Sequence, residues 1–186
     1  ARDPEKPNVI KGGVSPSGVP HIGHFNEILR GYFVAEALRD RGHEVRQVFT
    51  ADDRDALRAV PRTLADLDGT IVGLGDVDAG ALGRNLGVPY TDIPDPFGCC
   101  DSYGDHFTNL LASHAEAVGV PVEFVSNTDL YEEGAFEGVT RRILERADAA
   151  RDVLAEYQAK VDDGYVPFVP QCANCGHLTE GVTGVD

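Results

Sequence analysis

Apolar and polar positions alternate along this chain in a way that predicts strands and helices in turn. Val9 and Ile10 open a short apolar strand, and Gly12-Gly13-Val14-Ser15-Pro16-Ser17-Gly18 reads as a turn-rich stretch after it. Phe25, Ile28, Leu29, Tyr32 and Ala35 then fall at helical spacing and predict a helix from about Ile22 to Arg41, with Gly42 as its stop. Val45 to Phe49 reads as the next buried strand, so the chain opens with a strand, helix, strand unit. A second helix is expected from Asp101, as N-cap, to Val118. Tyr103, Phe107, Leu110, Leu111, His114 and Val118 share one of its faces, and Gly119 is its stop. Val122 to Val125 predicts a third strand. A long helix is expected from Ala135 to about Val161, with Phe136, Val139, Ile143, Ala147, Ala150 and Leu154 inward.

Two segments break these rhythms. Pro61 to Pro96 is glycine-rich and shows little periodicity, the mark of a long loop that is functional or mobile. After Gly164, Val166-Pro167-Phe168-Val169-Pro170 is extended and leads into a tight knuckle, Gln171-Cys172-Ala173-Asn174-Cys175-Gly176-His177. The fold class implied is α/β: a Rossmann-like parallel sheet with helices on both faces. In such sheets ligands gather at the carboxyl ends of the strands, which gives weight to the acidic run Asp52-Asp53-Arg54-Asp55 after the second strand.

Charge adds an environment to this picture. The chain carries 31 acidic against 16 basic residues, a formal net charge of −15. Only Lys6, Lys11 and Lys160 are lysines. A dense carboxylate surface keeps a protein soluble and suits it to concentrated salt, where self-repulsion is screened. The same surface counts against a free-standing nucleic-acid binder, while leaving room for an enzyme that touches nucleic acid through a limited patch. No apolar run approaches the length needed to span a bilayer, so a soluble cytoplasmic protein is expected, with no membrane partner.

The chemistry concentrates in Pro16-Ser17-Gly18-Val19-Pro20-His21-Ile22-Gly23-His24, between the first strand and the first helix. A helix N-terminus favours an anion there through its dipole and free amides. Two histidines three residues apart lie on one side of the first turn and can donate hydrogen bonds to phosphate oxygens that gain charge when a carboxylate attacks the α-phosphorus of ATP. Gly23 between them lets a flat ring such as adenine approach the backbone. Of the four cysteines, Cys172 and Cys175 have the C-x-x-C spacing of half a zinc site. Cys99 and Cys100 read as plain thiols, because two adjacent cysteines rarely chelate one metal on their own.

His21-Ile22-Gly23-His24 is the H-I-G-H signature of class I aminoacyl-tRNA synthetases as it stands in this chain. The likeness narrows beyond it. Gly13 to Gly18 leading into His21 to Phe25 resembles the opening of the archaeal-type class I lysyl-tRNA synthetases. So do Ala37-Leu38-Arg39-Asp40-Arg41-Gly42-His43 and Asp52-Asp53-Arg54-Asp55-Ala56-Leu57-Arg58. The most family-specific block is Asp92-Ile93-Pro94-Asp95-Pro96-Phe97-Gly98-Cys99, followed by Ser102-Tyr103 and His106-Phe107. The resemblance covers the chain from about Gly12 to His177.

Such enzymes join lysine to ATP, release pyrophosphate, and pass the lysyl group to the 3′ end of tRNA(Lys). The resemblance implies that His21 and His24 contact the phosphates of ATP, which enters with Mg2+. Pro16, Ser17, Gly18, Ile22 and Gly23 complete the nucleotide site. It also implies that Gly13 and Ser15 hold the amino acid, with Asp52 or Asp53 pairing with its ammonium group. Cys172 and Cys175 then become the first half of a structural zinc site. Residues 1–164 are expected to be the first half of the catalytic domain, and 165–186 the start of a truncated zinc-knuckle-like insertion.

His24 departs from most members of the family, which carry Asn there; the general class I form is restored, so ATP binding is expected as in that class, and the likeness to the lysyl enzymes in particular is slightly reduced at this position. The K-M-S-K-S type loop is not among these residues, so the chain alone is expected not to charge tRNA. Three other readings compete. Another class I synthetase should lack the Asp-Pro-Phe-Gly block here. An H-x-G-H nucleotidyltransferase would not need the cysteine knuckle. A non-catalytic remnant would bind ATP without pyrophosphate exchange.

Overall fold

The computed structural model describes residues 6–159 and 161–182, and these fall into two compact units that divide after Thr128. In the first unit a parallel sheet is built from β1 (Asn8–Val14), β2 (Val45–Ala51) and β5 (Glu123–Ser126), in the order β1-β2-β5. Asn8 pairs with Val45 and Val14 with Ala51, so both strands end at the same level. Ala51 pairs in turn with Ser126. Three strand ends therefore deliver their following residues to one edge of the sheet. The sheet is flanked by helices, and the class is Rossmann-like α/β.

Gly12 and Gly13 lie inside β1 rather than in a turn. A Cβ on Gly12 would sit 2.7 Å from Cε2 of Phe49, a core residue of β2 with 1 % exposure. The glycine is there so that this ring can lie against the backbone of β1. The turn begins only at Ser15.

Helix α1 (Ile22–Arg39) buries Ile28 and Ala35, and Phe25, Leu29 and Tyr32 pack beside them as the spacing predicts. Helix α3 (Tyr103–Ala117) joins two clusters. Its Leu111 and Ala115 pack with Ile28 and Phe49, while Tyr103, Phe107 and Leu110 pack with Leu57, Leu64 and Leu82. The N-cap of α3 is Ser102, not Asp101: the Ser102 hydroxyl oxygen accepts from the Asp105 amide at 3.0 Å. His114 is half-buried and Val118 exposed, so the inward face ends at Ala115; Gly119 (φ +74°) turns the chain out.

The stretch from Pro61 to Pro96 is not a loose loop. It forms β3 (Leu64–Ala65) paired antiparallel with β4 (Ile71–Val72), the short helix α2 (Ala79–Arg84), and a 3-10 turn at Tyr90–Asp92. Leu64, Ala65, Leu82, Val88, Tyr90 and Ile93 are all buried in one core. Each contributes from a piece too short to show a period, which is why sequence periodicity missed them.

The second unit holds the rest of α4 (Asn127–Glu132), then α5 (Glu137–Leu144) and α6 (Ala147–Ala155). One helix over 135–161 was expected, and two shorter ones are found; of its span, residue 160 lies outside the described residues. The backbone leaves helical geometry at Arg146 (φ −124°, ψ 32°). Neither helix buries a residue, and Val139, Ile143 and Val153 stay exposed. Without a buried apolar face, a long helix has little tertiary packing to hold it straight. Among the described residues no helix is long and apolar enough to cross a membrane.

Candidate nucleotide and amino-acid site

The turn between β1 and α1 carries the two histidines as a reciprocal helix cap. His21 is the N-cap of α1, and its Nδ1 accepts from the Gly23 amide at 3.0 Å. His24 Nδ1 accepts in return from the His21 amide at 3.3 Å. The rings stack with centroids 3.9 Å apart. An imidazole nitrogen that accepts a hydrogen bond is unprotonated, so in the neutral rings both protons sit on Nε2. Each histidine is thereby fixed as an Nε2–H donor at the positive end of an 18-residue helix. Burial, and then the neighbouring His21 ring, lower His24 below the usual imidazole pKa, which favours this neutral form.

Gly23 makes the cap possible. A Cβ there would lie 2.7 Å from Cε1 and 2.9 Å from Nδ1 of His21. Any side chain would push the ring off the amide it caps. Ahead of the histidines, Pro16 is buried and Ser17 exposed, and Tyr103 Oη donates to the Ser17 carbonyl at 2.8 Å. Tyr103 is fully buried in the core at the first turn of α3 and stacks on Tyr90. Two core tyrosines thus anchor the Pro16-Ser17-Gly18 turn from below.

The acidic run lies at the shared strand ends. The Asp52 amide donates to the Val14 carbonyl at 2.8 Å, continuing the β1–β2 ladder by one residue. Ser15 Oγ donates to Asp55 Oδ2 at 2.6 Å, and Asn127 Nδ2 to Asp52 Oδ1 at 2.8 Å. Tyr90 N donates to the Asp55 carbonyl at 3.0 Å, so the 61–96 segment helps to fix the position of Asp55. Asp53 is different in kind: it is 3 % exposed, and its Oδ1 accepts from both the amide and the hydroxyl of Thr128, at 2.8 and 3.0 Å. That carboxylate holds the first turn of α4. Asp52 is half-buried, and burial together with the nearby Asp55 raises its carboxyl above the ordinary range; Lys11 and Asn127 oppose the rise and Asp53 adds to it. Gathered carboxylates of this kind gain from an incoming cation.

Cys172 and Cys175 lie in the second unit, in a knuckle closed by Cys172 N to the His177 carbonyl and Gly176 N to the Cys172 carbonyl, both 2.8 Å. Amides of Asn174 and Cys175, then the Cys175 thiol, lower the Cys172 thiol below its usual value. Two thiols held this way fit half of a tetrahedral metal site. His177 Nδ1 faces the Cys175 carbonyl at 2.9 Å. A cavity of about 770 Å³, lined by Tyr131, Phe136, Thr140, Arg141, Leu144 and Phe168, also belongs to this unit and contains none of the candidate site residues read from sequence.

Cys99 and Cys100, read above as plain thiols, do not stand alone. The turn from Asp95 to Cys100 brings them beside Asp95 and the buried His106, a grouping that sequence adjacency gave no reason to expect.

Comparison with known proteins shows the family. Residues 1–186 match the model of the class I (K) tRNA synthetases. A lysine–tRNA ligase of Haloarcula marismortui is 82% identical over 186 residues, all of this chain and 34% of the relative. One from Natronomonas pharaonis is 71% identical over the same 186 residues, again 34% of its length. One from Thermococcus kodakarensis is 32% identical over 180 residues, 94% of this chain and 32% of the relative. The chain spans about a third of the length of these curated relatives.

Proposed function

Since the chain belongs to the class I tRNA synthetases of the (K) group, matched over residues 1–186, we propose that it is the opening part of a lysine–tRNA ligase and carries the site where lysine and ATP meet. The reaction joins the lysine carboxylate to the α-phosphorus of ATP, with pyrophosphate leaving, and then moves the lysyl group from the adenylate to the 3′ end of tRNA(Lys). Little covalent chemistry falls to the protein. It must align the reactants and stabilise charge on the phosphates.

The observation that carries this reading is the reciprocal cap, in which both Nδ1 atoms are occupied by backbone amides. His21 and His24 then offer their Nε2–H groups to the phosphates without rearranging. Pro16, Ser17 and Gly18, anchored through Tyr103, shape the turn under the nucleotide, with Ile22 and Gly23 beside it. Mg2+ bound with ATP would neutralise part of the pyrophosphate charge. Gly13 and Ser15 border the amino acid. Of the two acids, Asp52 is the one placed to pair with a lysine ammonium, and Asp53 supports it by fixing α4.

The knuckle of Cys172 and Cys175 would supply two thiolates of a structural zinc site at the start of the 165–186 segment. Residues 1–164 are the first half of the catalytic domain on this reading; the division between compact units after Thr128 follows packing instead. The acidic surface suits the protein to a cytoplasm rich in salt.

The test is amino-acid-dependent ATP–pyrophosphate exchange in concentrated potassium chloride, on a protein of the relatives' full length that includes this chain. Exchange with lysine alone is expected. Exchange that depends on a different amino acid would move the specificity, and none with any amino acid would refute adenylate formation.

A further inference from the structure

Asp55 is the acid of the 52–55 run that touches the turn after β1 directly. Ser15 Oγ donates to its Oδ2 at 2.6 Å. A carboxylate only accepts, so the proton in this bond is the one that the serine hydroxyl owns. With that proton committed to Asp55, Ser15 offers lone pairs alone to anything else that approaches. Asp52 adds to the same edge. Asn127 Nδ2 occupies its Oδ1 at 2.8 Å, while its Oδ2 lies by Gly13, where a Cβ would be 3.6 Å from it. Burial and then the charge of Asp55 raise the Asp52 carboxyl, so the two acids are close enough to feel each other. Gly13, Ser15, Asp52 and Asp55 therefore border one edge, at the ends of β1 and β2, whose side chains accept and do not donate.

The backbone holds Asp55 in place without help from its side chain. Its amide donates to the Asp52 carbonyl at 3.2 Å, and its carbonyl accepts from the Tyr90 amide at 3.0 Å. Ala56 then bridges Pro89, and the Leu57 amide donates to the Val88 carbonyl at 2.9 Å. Leu57 itself is 1 % exposed and belongs to the core. Asp55 is nevertheless exposed. An exposed carboxylate on a backbone fixed by its neighbours contributes little to stability. What its hydrogen bond does set is the direction of the Ser15 proton.

We propose that Asp55 is a positioning residue that makes Ser15 an obligate hydrogen-bond acceptor, so that the amino-acid site selects an alkylammonium group. The proposal rests on the lysine reading given above and deepens it. An ammonium carries three N–H donors and no lone pair, which matches an edge of acceptors. A methyl group in its place leaves those acceptors without a donor, and polar groups left unpaired are what make such a site selective. Asp55 acts through Ser15: by taking the hydroxyl proton it polarises the oxygen and aims its lone pairs away from the carboxylate. Lysine has two ammonium groups, and one edge of this kind reads one of them.

The test is lysine-dependent ATP–pyrophosphate exchange by the full-length enzyme in concentrated potassium chloride, where exposed charges are screened beyond about 3 Å at 1 M. Wild type is compared with Asp55→Ala, Ser15→Ala and the double variant. Asp55→Ala should raise KM for lysine roughly tenfold and change kcat less than about threefold. In the Ser15→Ala background the same substitution should change KM by less than about twofold, since the residue through which it acts is gone. Two inhibitors identify the group that is read: 6-aminohexanoate lacks the α-ammonium, and 2-aminohexanoate lacks the ε-ammonium. Asp55→Ala should weaken one of them as it weakens lysine and leave the other unchanged. Should Asp55→Ala lose the wild-type circular dichroism, Asp55→Asn, of the same size, carries the comparison with a rise of about threefold. An unchanged KM, an equal loss for lysine and both inhibitors, or a full effect without the Ser15 hydroxyl would overturn the proposal. Wild-type exchange that does not depend on lysine would refute the lysine reading; lysine-dependent exchange that is indifferent to Asp55 refutes this proposal alone.

Discussion

Replacing Asp53 separates a structural carboxylate from its substrate-facing neighbour. Asp53 is 3 % exposed and accepts two hydrogen bonds from Thr128 on a single oxygen. In Asp53→Ala the Thr128 hydroxyl still has Thr91 Oγ1 at 3.0 Å, but the Thr128 amide loses its acceptor. Losing a hydrogen bond to a charged group costs about 1.5–3 kcal/mol. Because the two bonds share Oδ1 and one donor keeps a partner, the total is about 2–3 kcal/mol rather than the sum. At about 2–4 °C per kcal/mol for a protein of this size, Tm should fall by roughly 4–12 °C. Asp53→Asn keeps an acceptor oxygen and should recover more than half of that loss. Thermal unfolding followed by circular dichroism in concentrated potassium chloride reads both. A change below about 0.5 kcal/mol in Asp53→Ala would refute the structural role, as would equal losses in the two variants.

The neighbouring Asp52→Asn should behave oppositely in the full-length enzyme: stability nearly unchanged, and KM for lysine raised about 10–100-fold, the equivalent of 1.5–3 kcal/mol for a charged hydrogen bond. An unchanged KM would remove Asp52 from the amino-acid site. Gly23→Ala sets two terms against each other, since the lost cap costs about 0.5–2 kcal/mol while replacing a helical glycine regains about 1 kcal/mol. Stability should move by less than about 1 kcal/mol while pyrophosphate exchange falls at least about tenfold; unimpaired exchange would show that the cap does not position the rings. His24 should titrate below the usual imidazole value in NMR spectra. Its folded pKa is the lower one, so the unfolded chain takes up the proton first, and stability should fall as pH drops below about 6.5 toward the folded value. His24→Asn should flatten that segment of the stability profile, and titration of His24 at or above the ordinary value would contradict the lone-pair assignment.

Much of the site was legible in the sequence because its parts are local. The helix from Ile22 follows from the spacing of Phe25, Ile28, Leu29, Tyr32 and Ala35, and β2 with its trailing acids follows from one apolar run. What escaped depends on partners distant in the chain. Gly12 and Gly13 look like a turn until Phe49 is laid against the first and Thr50 against the second. The glycine-rich 61–96 stretch looks mobile because its core side chains come singly from short pieces, and only their shared burial with Tyr103 and Phe107 makes them a core. Asp53 differs from Asp52 only through Thr128, 75 residues away. Cys99 and Cys100 gain meaning only when α3 brings His106 to them and β3 supplies the Ala65 carbonyl behind the ring. The break at Arg146 has no sequence signal of the glycine or proline kind; of the stripe expected to face inward, Val139 and Ile143 stay exposed and Phe136, Ala147, Ala150 and Leu154 are only half-buried.

The central claim is that the capped histidine pair serves the α-phosphate chemistry of lysine activation. The most direct measurement is lysine-dependent ATP–pyrophosphate exchange by the full-length enzyme, wild type against His21→Ala, with ATP affinity measured alongside. Removing one preorganised donor to the transition state should lower the exchange rate by about 10²–10³-fold, with a much smaller change in ATP affinity. Exchange within about threefold of the wild type would contradict the account.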